Sequence, residues 1–142
     1  MDQALERMLN LLLESERAGV ATLDKLAAEV GHAELRRLLL TSREDEAADA
    51  EALAQLISDN GGVPSTRVGA FAAKVAATAT LHERLQLLIR GEEWVARKIE
   101  EALALAPPDG LIHACLQRMA RRHRFEVEWG RAELIRLAEE FK

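Results

Sequence analysis

Four carboxylates stand where a bundle of helices should carry leucine. Glu16, Glu46, Asp49 and Glu92 fall on the apolar stripes of three separate helical segments. A buried carboxylate without a partner is costly even after the protein relaxes around it. A set of them must therefore share protons, pair with bases or hold a cation. On a fourth stripe, His123 and Glu126 add an imidazole and a fifth acid three residues apart, which places both on one helix face.

The segments that must position these groups follow from apolar spacing. Leu5, Leu9, Leu12, Glu16, Gly19, Leu23, Leu26 and Val30 alternate steps of four and three, which predicts a helix over about residues 2–30 with one inward face. Gly31 offers a left-handed stop. The next stripe, Leu35, Leu39, Ser42, Glu46, Asp49, Leu53 and Leu56, predicts a helix over about 33–60, ending at Asn60-Gly61-Gly62. Leu81, Leu85, Leu88, Glu92, Val95, Ile99 and Ala102 predict a third over about 80–104. Pro107-Pro108-Asp109 then supplies a turn and an N-cap for a fourth over about 110–141, striped by Ile112, Leu116, Met119, His123, Glu126 or Val127, Gly130, Leu134, Leu137 and Phe141.

The connection over 61–79 is far longer than the two to eight residues that antiparallel neighbours need. It predicts a crossover that returns along the bundle, with VGAFAAKVAATA forming a short helix, so that the second and third long helices run parallel. The fold class is all-α: two antiparallel hairpins joined by one long crossover, in a single domain over 1–142. Counting outward from the first turn sets Glu16 opposite Glu46 and Asp49. Counting from the second sets Glu92 opposite His123.

With this pattern the chain resembles the ferritin-like superfamily of di-iron carboxylate proteins, whose four-helix bundles carry a Glu on helices 1 and 3 and a Glu-x-x-His on helices 2 and 4. LLLESERAG and RGEEWVARKIEE also resemble a family of small, uncharacterised bacterial ferritin-like proteins. The resemblance makes Glu16 the helix 1 ligand, Glu46 the bridging carboxylate of helix 2 and Glu92 the helix 3 ligand. It implies iron binding or oxygen and peroxide chemistry, and hence a metal-dependent oxidoreductase. Two departures stand out. Asp49 replaces the histidine expected three residues after Glu46. On helix 4, His123 is preceded by Ala120 and followed by Glu126, so either the second bridging acid is missing or the order is reversed to His-x-x-Glu.

With Asp49 and Glu126 included, the six-residue set is Glu16, Glu46, Asp49, Glu92, His123 and Glu126. Its oxygen-rich chemistry suits Fe(II), Mn(II) or Mg(II) better than zinc or copper, so iron or manganese, in a site of one or two ions, is the expected cofactor. The same residues also fit a metal-free network in which some acids keep their protons and others pair with Arg43, Arg97 or Arg122. In that reading the protein is a structural or interaction module with a residual polar core. Glu93 replaces Glu92 if helix 3 is rotated.

Bulk properties exclude other classes. A net charge of −5 opposes nucleic acid and anionic membranes as partners, and QRMARRHR reads as a solvated, acid-paired face. Cys115 is alone, so no disulfide framework or thiolate zinc cluster forms within one chain, and a reducing cytoplasm is expected. The first residues read as an amphipathic helix and not as a signal peptide, and no segment reads as a membrane span. Ser15 and Ser42 lack a histidine base, and no phosphate loop or dinucleotide fingerprint is present. His32, His82 and His113 lie off the central layer, in surface or capping roles. Trp94 and Trp129 flank it, at a core edge or in a contact between two copies, and a homodimer is expected.

Overall fold

The computed structural model describes residues 1–78 and 80–140. Helices α1 (Gln3–Glu29), α2 (Ala33–Asp59), α4 (Leu81–Leu105) and α5 (Leu111–Glu140) form the bundle, and the short α3 (Phe71–Ala76) lies within the crossover. The expected ends at Ala79 and Phe141 lie outside the described residues. Three of the long helices begin on a side-chain cap. The Asp2 carboxylate accepts from the Leu5 N–H at 3.1 Å, and His32 Nδ1 accepts from the Leu35 N–H at 3.2 Å. Thr80 and Glu83 form a reciprocal capping box at the head of α4.

Two terminal details differ from expectation. The chain leaves α1 through Val30 in an extended conformation, and Gly61 (φ 82°), at the end of α2, is the one described glycine with a positive φ. Gly31 is therefore not a left-handed stop. Before α5, the Gly110 N–H donates to the Pro107 carbonyl at 3.2 Å, and α5 starts at Leu111, two residues beyond Asp109.

Each hairpin packs on itself, α1 on α2 and α4 on α5. The hairpins meet through α1 with α4 and α2 with α5. The crossover ascends beside α1. Asn10 Nδ2 donates to the Val63 carbonyl at 3.1 Å, Arg17 Nη1 donates to the carbonyls of Ser65 at 2.6 Å and Arg67 at 3.2 Å, and Arg84 pairs with Glu29 near the far end. Helices α2 and α4 consequently run parallel.

The core divides into two apolar clusters. One gathers Leu5, Leu9, Leu12, Leu53, Ile57, Ile99, Leu116 and Met119 at one end of the bundle; the other gathers Leu23, Leu26, Leu35, Leu39, Val75, Leu85, Leu88 and Leu137 at the other. Burying each leucine contributes roughly 2 kcal/mol. Between the clusters lies a layer made of acids, one histidine and one arginine, which forgoes that contribution.

Candidate metal centre

The polar layer draws one or more side chains from every long helix: Glu16 from α1, Glu46 and Asp49 from α2, Glu92 from α4, and Arg122, His123 and Glu126 from α5. Glu16, Glu46 and His123 are at most 2 % exposed, and Asp49, Glu92 and Glu126 at most 7 %. Glu92 points inward, whereas Glu93 pairs with Arg131 on the surface at 3.1 Å. Helix 3 of the sequence reading is thus not rotated. His32 caps α2, as noted, and Arg43 pairs outside the bundle with Asp24 at 2.5 Å.

Arg122 organises one half of the layer. Its Nε donates to Asp49 Oδ2 at 2.7 Å, Nη1 to Glu126 Oε1 at 2.6 Å and Nη2 to Glu16 Oε2 at 2.9 Å. These are charge-assisted bonds to acids from three helices. The other oxygen of Glu16 lies 2.6 Å from His123 Nε2. Both oxygens of Glu16 and Oδ2 of Asp49 are therefore taken by protein partners.

The other half is not. Glu46 Oε2, Glu92 Oε2, His123 Nδ1 and Glu126 Oε2 are buried without a hydrogen-bond partner. His123 Nδ1 and Glu92 Oε2 are in contact as an ion pair, but the approach lacks the alignment of a hydrogen bond. The same four residues each present a donor atom within 4.8 Å of the others. Donors on one ion with bonds of about 2.1 Å can lie at most about 4.2 Å apart, so a sub-ångström contraction brings this set to ion size. Three oxygens and one imidazole nitrogen suit iron or manganese. The residues fit a metal.

Proton affinities follow from the crowding. Burial, followed by repulsion from Glu92, Glu16 and Glu126, raises the Glu46 pKa well above the usual carboxyl value. Glu126 is pushed up to about 9 by burial and Glu92, against the pull of Arg122 and His123. Burial works against the charge of Glu92, yet the imidazolium of His123 overrides it and holds Glu92 down at about 2. Burial likewise opposes the His123 charge, and Glu92 and Glu16 overcome it to lift His123 to about 10. At neutral pH the protein therefore holds Glu92 charged, Glu126 protonated and His123 as a cation, and Glu46 is shifted in the same direction as Glu126. Protons stand in for a missing positive charge.

Space for this arrangement depends on two glycines. A Cβ on Gly19 would sit 2.5 Å from Glu46 Oε2, and a Cβ on Gly91 would sit 2.5 Å from the Phe71 ring. Beyond Gly19 a largely apolar cavity of about 120 Å³ lies between α1 and α4 under the crossover, lined by Ala18, Phe71, Gly91, Trp94 and Val95 and reaching Glu46 and Glu92. It gives the cluster a route to the α1/α4 face.

The structure brings all six sequence-predicted residues into one layer and divides them between a closed triad and an open set that share Glu126. Sequence reasoning gave too little weight to Arg122, which it placed beside Arg43 and Arg97, and it read Gly19 only as a stripe position. A mid-helix glycine costs about 1 kcal/mol relative to alanine. That cost on an inward face is the signal of a close approach.

Comparison with known proteins agrees with the architecture. A ferritin-like, diiron-carboxylate protein from Bacillus anthracis superposes with a TM-score of 0.80 at 23 % identity, over 96 % of this chain and 99 % of that one. BfrA from M. tuberculosis superposes with a TM-score of 0.86 at 18 % identity, over 98 % and 88 %. At such identities the likeness shows a ferritin-like fold. The sequence family described as Domain of unknown function (DUF6306) matches residues 3–133. No curated protein matches the sequence.

Proposed function

The chain belongs to the DUF6306 family, and we propose that it is a ferritin-like metal protein in which Glu46, Glu92, His123 and Glu126 hold a divalent iron or manganese ion. One observation carries the reading: four buried side chains from three helices each offer a ligand atom within 4.8 Å of the others, and each carries a buried atom without a hydrogen bond. A protein seldom leaves four buried polar atoms without a hydrogen bond in one place. The diiron-carboxylate neighbour points to iron.

When bound, such an ion supplies reversible one-electron exchange with oxygen or peroxide, or a reservoir of iron. The residues do the rest. Glu46 and Glu126 release their protons and His123 returns to neutral imidazole as the cation takes over their balancing role. Phe71 and Trp94 shield the α1/α4 side, so small molecules approach through apolar surroundings. The protein acts as a single domain in the cytoplasm, where buried Cys115 stays reduced. Two copies associate through the α4 face that exposes Trp94, which is 37 % exposed.

The Arg122 ion pairs favour a second reading, a metal-free structural or interaction module whose acids are neutralised internally. Metal analysis separates the two. Protein purified from iron- and from manganese-supplemented cultures should carry metal, and a Glu46→Ala variant should lose it. Metal-free protein from both cultures, or a Glu46→Ala variant as rich in metal as the parent, contradicts the first reading.

A further inference from the structure

We infer that the guanidinium of Arg122 is a built-in second cation, so that this bundle holds one exchangeable metal ion beside one fixed positive charge and is not a two-metal site. The inference rests on the metal reading of the open set and adds its stoichiometry. Arg122 binds Asp49, Glu126 and Glu16 at 2.7, 2.6 and 2.9 Å, collecting acids from α1, α2 and α5 around one positive group. No acid outside the polar layer is needed to complete it.

The two groups linking the halves show how the guanidinium replaces an ion. Glu126 gives Oε1 to Arg122 and leaves Oε2 orphaned in the open set. His123 lies 2.6 Å from Glu16 through Nε2 and turns Nδ1, without a hydrogen bond, to Glu92 of the open set. One carboxylate is thus shared between the guanidinium and the candidate metal position, as a carboxylate is shared between two cations. A metal at Glu16 and Asp49 would have to evict a group that cannot lose its charge inside a protein. Stranding that charge in the core costs more than a weakly competing ion returns.

This arrangement separates folding from metal loading. Glu16 and Asp49 keep their bonds to Arg122 whether or not the open set is filled, so the bundle can release its ion and remain assembled. A site of this kind exchanges single ions reversibly.

Equilibrium dialysis of the purified full chain against Mn(II), with metal counted per chain, tests the inference. The parent should take up one ion and Glu46→Ala none. Arg122→Ala and Arg122→Gln should take up two, because removal of the guanidinium exposes Glu16, Asp49 and one oxygen of Glu126. The double variant Glu46→Ala/Arg122→Ala should take up one, and Arg122→Lys should remain at one. Far-UV circular dichroism of the same samples should show the parent equally helical with and without metal, and the two uncharged Arg122 variants more helical with it. Two ions in the parent, or no second ion in both uncharged variants whether or not they fold, overturns the inference. A parent that binds none sinks the metal reading instead. The double variant then decides alone: one bound ion keeps Arg122 as a cation substitute, and none removes it.

Discussion

The two halves of the polar layer are built from the same residue types and end in opposite states. Around Arg122, Glu16 and Asp49 have every charge answered by a protein group. Around Glu46 and Glu92, a few ångströms away, four buried donor atoms lack a hydrogen bond, and the one cation among them is a titratable imidazole. Burial is nearly equal in both halves, so burial is not the difference. The difference is a permanent cation, and it shows that a carboxylate cluster is a candidate site only where the protein has withheld its own counter-charge.

The largest effect should come from reversing that asymmetry with one aliphatic residue in each half. Arg122→Leu strips the closed half of its cation and strands Glu16 and Asp49, a change that typically costs about 3–5 kcal/mol. Glu46→Leu in metal-free protein removes a buried, repelled acid and should be neutral or stabilising by about 1 kcal/mol or more. Urea denaturation of both variants in chelator measures the contrast. Equal losses would mean that the halves do not differ.

An intermediate effect is expected from pH. In metal-free protein Glu126 and Glu46 titrate above their ordinary 4.5, and His123 titrates near 10 against an ordinary 6.5. Between about pH 5 and pH 9 the folded state therefore holds more protons than the unfolded chain, so stability falls as pH rises. Glu92, held near 2, adds stability that is lost only in strong acid, below about pH 4.5. The melting temperature in chelator should drop from pH 5.5 to pH 8.5, and saturating Mn(II) should flatten or reverse the slope, because the ion displaces those protons. A metal-free melting temperature that rises over this range contradicts the charge assignment of the open half.

Gly19→Ala gives the smallest and most local effect. The new Cβ would meet the Glu46 carboxyl, while the helix gains roughly 1 kcal/mol of propensity. Metal-free stability should change by no more than about 1 kcal/mol, whereas Mn(II) affinity should fall by about tenfold or more as Glu46 is displaced from its partners. Unchanged affinity would show that Glu46 is not held where the open half needs it.

Much of this was legible from residue spacing. The alternation of four and three set Glu16, Glu46, Asp49 and Glu92 on inward faces, and the long segment after Gly61 required the crossover that makes α2 and α4 parallel. The spacing of His123 and Glu126 on α5 placed both on the inward face, and both side chains are buried. Spacing did not reveal which of Arg43, Arg97 and Arg122 turns inward, because each lies beside a stripe and a long side chain reaches the core from a flank. Nor could it locate the break between closed and open halves. That break depends on how single oxygens of Glu16 and Glu126 are assigned, which is a matter of ångströms and not of periodicity. Gly31 misled because glycine permits a left-handed turn without requiring one; the chain leaves α1 extended instead.

The most direct measurement of the central claim is an anomalous-scattering map at the manganese edge, from crystals grown metal-free and soaked in Mn(II). The account predicts one peak per chain, within coordination distance of Glu46, Glu92, His123 and Glu126, with the Arg122 guanidinium still seated between Glu16 and Asp49. A map with no peak inside the bundle, or with its peak between Glu16 and Asp49 and Arg122 swung out, would contradict it.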